Sequence, residues 1–158
     1  MATSVKPEVL LVAPIYKPAQ ATLEATYTTH SLLNASDRTA LISEVAPRID
    51  VVVTDLRLGA VDGLAVLRAA KKTDPSIVVV LLTAYASVGT AVAAMKEGAA
   101  DYLEKPVNLD KLRLVLDRAL EAGVDLLRSE HLFVRGAGHD LRRGFGHWSI
   151  PLGWSTLI

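Results

Sequence analysis

The chain has no cysteine in its 158 residues. That excludes a disulfide framework, a thiol nucleophile and a thiolate metal site. It has no excess of either charge, with 17 basic and 17 acidic residues. No global field therefore draws it to nucleic acid or to a membrane surface. It has no long hydrophobic run. The longest, Ile77 to Leu82 with its continuation, is far too short to span a bilayer. The amino terminus shows no charged-then-apolar signal pattern. A cytoplasmic protein without membrane contact is the expectation. What the chain does have is apolar content, 51% of its residues, enough for a sizeable core. Its length fits one domain with an extension, or one slightly large domain.

Residues 8 to 12 read as a first strand. A helix from about Ala19 to Tyr27 follows Pro18. Thr28 to Leu33 reads as a short edge strand. Asp37 is a good N-cap for a helix to about Val45, closed by Pro47. Ile49 to Thr54 reads as strand three. Asp62-Gly63 opens a helix ending near Lys72, before Asp74-Pro75. Ile77 to Leu82 reads as strand four. Ser87 caps a helix that stops at Gly98. Tyr102 to Glu104 reads as strand five. Asn108 or Asp110 starts a last helix, with Leu112, Val115, Leu116 and Leu120 at helical spacing. Five strands alternating with five helices imply a parallel sheet covered on both faces. The predicted fold is a flavodoxin-like three-layer α/β/α domain with a five-stranded parallel sheet, order 2-1-3-4-5, over residues 1–122. Residues 123–158 form a separate tail. It holds both tryptophans, both phenylalanines and three of the four histidines, and shows no sustained period.

Three apolar strands each deliver a polar side chain at the carboxyl end, where ligands bind in open α/β sheets. They are Val51-Val52-Val53-Thr54-Asp55, Val80-Leu81-Leu82-Thr83-Ala84 and Tyr102-Leu103-Glu104-Lys105-Pro106. Each residue also has a plain structural role open to it. Asp55 can cap the following turn, Thr83 can simply end a strand, Lys105 can be a surface lysine, and Tyr102 a half-buried tyrosine.

With Asp55-Leu56-Arg57-Leu58, Asp62-Gly63-Leu64, Thr83-Ala84-Tyr85 and Asp101 to Pro106 in this order, residues 51 to 122 resemble the receiver domain of bacterial response regulators. The resemblance is greatest to the kind preceding a sigma-54-dependent activator. It implies that Asp55 is the phosphoacceptor, a carboxylate nucleophile for phosphoryl transfer. Lys105 is then the neutralising amine, before a peptide bond that is typically cis in receivers. Thr83 is the switch hydroxyl and Tyr102 the switch aromatic. A histidine kinase or small phosphodonor would supply the phosphoryl group. A protein partner would read the helix 4–strand 5–helix 5 face.

The resemblance also implies Mg²⁺, held by an acid pair ending strand one, by the phosphoacceptor Asp55 and by the Arg57 backbone carbonyl. Here strand one ends in Ala13-Pro14, which offers no side-chain oxygen. Glu8 and Glu24 stand away from that exit. The usual cluster of three carboxylates and a lysine carries about −2, and this one about zero. A carboxylate lost at about 4 Å from a dication is worth several kcal/mol even at an effective dielectric of about 20, partly offset by water. Weak Mg²⁺ binding and slow or absent self-phosphorylation are expected.

The first fifty residues carry a second resemblance. Val9 to Pro14, Leu23-Glu24-Ala25 and Glu44-Val45-Ala46-Pro47-Arg48 are similar to the N-terminal domain of D-2-hydroxyacid dehydrogenases, also flavodoxin-like. Together the two imply a chimera joined near residues 50–55, with a diverged receiver as the competing account. The functional expectation is a receiver module of phosphorelay signalling, and not an enzyme beyond self-phosphorylation. The alternatives are a scaffold without phosphotransfer and a dehydrogenase-derived fragment. No cofactor site is expected. Gly136-Ala137-Gly138 has Leu141 where a third glycine should stand, and no βαβ unit follows. His131, His139 and His147 carry little metal-ligand signal. Arg142-Arg143 with Trp148 and Trp154 shows no DNA-binding helix pattern.

Overall fold

A computed structural model of the chain describes residues 6–59 and 61–130. The elements run β1 (Glu8–Leu11), α1 (Lys17–Thr26), β2 (Thr28–Ser31), α2 (Arg38–Val45), β3 (Val51–Asp55), α3 (Gly63–Thr73), β4 (Val78–Thr83), α4 (Val88–Lys96), β5 (Asp101–Glu104) and α5 (Leu109–Glu130). All four strand pairings in the main sheet are parallel, in the order β2-β1-β3-β4-β5. This is the flavodoxin-like order expected from the alternation. A short antiparallel ribbon, Arg57–Leu58 with Val61–Asp62, stands outside the sheet. Gly59 turns it with φ +68°, a conformation that favours glycine.

The sheet is buried on both faces, which explains its unbroken apolar runs. Strand residues alternate between two core layers. Leu10, Val52, Val79 and Leu81 pack with Ile42, Val45, Val66, Leu67 and Ala94 of α2, α3 and α4. Val9, Leu11, Val51, Val53, Val80 and Leu82 pack with Leu23 of α1 and with Leu112 and Leu116 of α5. Truncating one of these leucines to alanine costs about 2–5 kcal/mol.

Local signals set the helix starts. Pro18 stands in the first turn of α1, where its missing N–H costs nothing. Asp37, Asp62 and Ser87 accept from the backbone amides of Ala40, Leu64 and Thr90. Asn108, one of the two residues expected to open α5, accepts from the Lys111 amide at 3.0 Å.

Several strand ends move by one or two residues from the sequence expectation, and two boundaries have a clear physical reason. β2 stops at Ser31, and Leu32–Asn34 forms a 3₁₀ turn that places Leu32 in the core. The reason is pairing: β1 ends at Leu11, the partner of Ser31. α5 runs across the 122/123 boundary to Glu130. A single Gly123 costs a helix only about 1 kcal/mol, and the leucines, arginine and glutamate after it are good helix formers. The tail motifs at His131, Gly136–Gly138, His139, Arg142-Arg143, His147, Trp148 and Trp154 lie outside the described residues.

Candidate functional site

β3 carries Asp55 out of the sheet at its carboxyl end. The ladder continues one step further, with Leu56 N donating to the Leu82 carbonyl at 2.7 Å. On the far side of β4, Lys105 N donates to the Thr83 carbonyl at 2.7 Å. This register sets Glu104 opposite Thr83 and Lys105 one residue beyond it, from where the lysine side chain reaches across β4. Lys105 Nζ donates to Asp55 Oδ2 at 2.6 Å. The Lys105–Pro106 peptide is cis. The pair is half-buried, with side chains 28% and 18% exposed. At this depth an ion pair is stronger than on the surface but remains reachable from solvent.

The other carboxylate oxygen is lightly engaged. Among the described residues, Asp55 Oδ1 accepts only from the Arg57 amide, at 3.3 Å. The loop bearing it is fixed from below by α3. Gly63 N donates to the Leu56 carbonyl at 2.8 Å. A Cβ on Gly63 would run into the Asp55 carbonyl oxygen and come within 2.8 Å of Leu56 Cα. The Asp62-Gly63 pair thus caps a helix and lets its first residue press on the aspartate loop.

Thr83 is buried at the neighbouring strand end, 4% exposed. Its hydroxyl is turned to the following turn: it accepts from Tyr85 N at 3.1 Å and donates to Tyr85 O at 3.2 Å. Tyr102 is half-buried on β5, and its hydroxyl meets Thr90 Oγ1 on α4 at 2.8 Å. The structure therefore brings Asp55 and Lys105 into contact, sets Thr83 beside them with its hydroxyl engaged elsewhere, and ties Tyr102 to α4. Thr90 escaped the sequence reading. The available signal was Ser87-x-x-Thr90 at a helix start, where both hydroxyls can serve the same cap.

The β1 exit runs alongside β3. Val12 N donates to Val53 O at 2.9 Å, two residues before Asp55. Ala13 is buried and Pro14 exposed. Neither residue carries a side-chain oxygen, and one oxygen of the Asp55 carboxylate is paired with Lys105. Among the described residues no group of three or more His, Cys, Asp or Glu side chains is placed to hold a metal ion.

Residues 16–117 match the response regulator receiver domain family. The transcriptional regulatory protein ZraR of Klebsiella oxytoca is 51% identical over 71 residues, 45% of this chain and 16% of that protein. The chain thus spans about a sixth of that relative's length. A receiver domain protein of Clostridium thermocellum superposes with a TM-score of 0.64 at 27% identity, covering 76% of this chain and 98% of that one. A response regulator of Burkholderia pseudomallei, solved with a phosphorylated aspartic acid, a calcium ion and citrate, gives a TM-score of 0.54 at 25% identity. The match covers 79% of this chain and 75% of that one.

Proposed function

Because the chain belongs to the response regulator receiver domain family, we propose that it works in two-component signalling with Asp55 as its phosphoacceptor. The observation that carries this reading is the 2.6 Å contact between Lys105 Nζ and Asp55 Oδ2 at the carboxyl ends of the strands. Lys105 holds one oxygen and leaves Oδ1 to attack. Attack forms a bond from a carboxylate oxygen of Asp55 to phosphorus. It breaks the bond from phosphorus to the imidazole nitrogen of a kinase phosphohistidine, or to the oxygen of a small acyl phosphate. The electron pair leaves with that group. Lys105 then neutralises charge on the phosphoryl oxygens, and Thr83 exchanges Tyr85 for one of them.

In transfers of this class a divalent ion supplies charge neutralisation. The donor set at this site does not fit a tightly held Mg²⁺, which wants near-octahedral oxygen ligands. Ala13 and Pro14 supply no side-chain oxygen, and one Asp55 oxygen is shared with Lys105. Mg²⁺ binding is weak in this reading, and phosphorylation from small donors is slow or absent.

Output runs through protein contact on the α4–β5–α5 face. Tyr85, Val88, Val92 and Met95 are exposed along α4 and its leading turn, and Leu114 is exposed on α5. No helix among the described residues is long and apolar enough to cross a membrane, which supports a cytoplasmic module. The family match begins at residue 16, so it takes in α1 and β2 as well. That supports a diverged receiver over a chimera joined near residues 50–55.

The test is amide NMR with beryllofluoride and Mg²⁺ on the full chain. The reading expects shifts at Asp55, Thr83 and Lys105 that vanish in Asp55→Asn. Identical responses from the wild type and Asp55→Asn would refute it.

A further inference from the structure

We propose that Thr90 is a positioning residue, whose hydroxyl latches Tyr102 to the first turn of α4 and sets the resting position of both. Thr90 Oγ1 has three polar neighbours: Tyr102 OH at 2.8 Å, Ser87 Oγ at 2.8 Å and the Ser87 carbonyl at 3.1 Å. The carbonyl can only accept, so Thr90 gives it the one proton it has. Both lone pairs of Thr90 then accept, one from Ser87 Oγ and one from Tyr102 OH. Ser87 Oγ in turn accepts from Thr90 N at 3.2 Å. Every hydroxyl in the cluster is satisfied in one arrangement, and Tyr102 is its donor.

The ring of Tyr102 packs on the core layer that includes Val79, Leu81, Ala94 and Ala99. The latch therefore joins β5, the core and the start of α4. At the other end of the same turn, Thr83 holds the backbone of Tyr85 through two hydrogen bonds. The segment between Thr83 and Thr90 is pinned at both ends. Its side chains Tyr85 and Val88 are 79% and 82% exposed, so little apolar packing holds it otherwise. Releasing Thr90 frees Tyr102 and loosens this turn. The coupling of the latch to Asp55 rests on the reading of Asp55 as phosphoacceptor; the latch itself does not.

The experiment uses the full chain with ¹³C-labelled tyrosine and ¹⁵N amides. Thr90→Val keeps the shape and removes the hydroxyl. Tyr102→Phe removes the partner, and Thr90→Ser restores a hydroxyl. Thr90→Ala stands in should the valine variant fail to fold. Thr90→Val is expected to shift the Tyr102 ring signals and the amides of residues 84–91. Tyr102→Phe should shift the same amides, the double variant no further than either single, and Thr90→Ser should return them. Independent, additive shifts, or no rescue by serine, would overturn the latch. In a second arm, beryllofluoride half-saturation should fall about two- to tenfold in Thr90→Val and stay near wild type in Thr90→Ser, the range that one net hydrogen bond allows. A wild type that responds with a half-saturation untouched by Thr90→Val overturns the setting of the resting state. A wild type that ignores beryllofluoride while the ring and amide coupling holds overturns the phosphoacceptor reading and supports the latch.

Discussion

Glu8 and Asp55 stand at opposite ends of one sheet with nearly the same burial, 13% and 18% of their side chains exposed. Their surroundings differ. Glu8 opens β1 and is surrounded by donors: Arg48 Nε reaches both of its oxygens at 3.0 Å, and His30 Nε2 lies 2.9 Å from Oε2. Its own amide donates to Asp50 Oδ2 at 2.9 Å. Four segments meet there: β1, β2, the turn after α2 and the start of β3. Asp55 ends β3 with one strong partner and one long amide contact. The tyrosines repeat the contrast. Tyr27, at the amino end, gives its hydroxyl to the Asp117 carboxylate of α5 at 2.6 Å. Tyr102 gives its own to Thr90, an exchangeable neutral partner. A saturated acid at one end holds elements together, while the acid at the other keeps one oxygen with only a long amide contact.

The most forceful way to break this contrast is to saturate the carboxyl end with acid. Ala13→Asp combined with Pro14→Asp should tighten Mg²⁺ binding by about 10- to 100-fold, the residue of several kcal/mol of attraction after desolvation. Isothermal titration checks it. Unchanged affinity would mean that the β1 exit does not serve the Asp55 crevice. Next in size is removal of each acid. Glu8→Ala strands Arg48 and His30 in a half-buried place and should cost about 2 kcal/mol in urea unfolding. Asp55→Ala should cost about 1 kcal/mol or less, because the Lys105 amine can swing to water. Equal costs would erase the distinction between the two ends. Gly63→Ala should cost about 1–2 kcal/mol, since its Cβ meets backbone that cannot rotate away. It should also shift the amides of Asp55 to Leu58. Gly89→Ala, with open space around its Cβ, should instead stabilise α4 by about 0.5–1 kcal/mol.

Much of this architecture was legible because its signals are local. Val51–Val53 and Val78–Leu82 are apolar runs that only a doubly covered strand uses well. Asp37, Asp62, Ser87 and Asn108 announce helix starts through their side-chain oxygens. The approach of Asp55 and Lys105 followed from strand-end position and parallel order. What stayed hidden depends on partners distant in sequence. The end of β2 is set by the length of β1, which Thr28 to Leu33 does not encode. The tie from Tyr102 to Thr90 needs the packing of α4 on β5. Thr83 could have faced either the crevice or Tyr85, and only the turn geometry decides between them. The clustering of Arg48 and His30 on Glu8 spans 40 residues of chain, with no local pattern to mark it.

A pH-dependent effect lies at the amino end, in Tyr27. Burial first, then the hydrogen bond to Asp117, raises its phenol above the ordinary value of 10.0. Arg113, whose Nε lies 3.7 Å from the other Asp117 oxygen, opposes this weakly. The raised folded value means that the neutral phenol is what the fold prefers. Its contribution is complete below about pH 10, where the unfolded tyrosine is also protonated. It fades as the pH climbs from there towards the folded value, because unfolding then releases a proton. Tyr27→Phe should cost about 1 kcal/mol at neutral pH. Above pH 10 the variant should lose stability less steeply than the wild type, so the two unfolding curves converge. Parallel curves up to the alkaline limit would show that the Tyr27 hydroxyl is not what joins α1 to α5, and that the amino end is less saturated than the contrast with Asp55 requires.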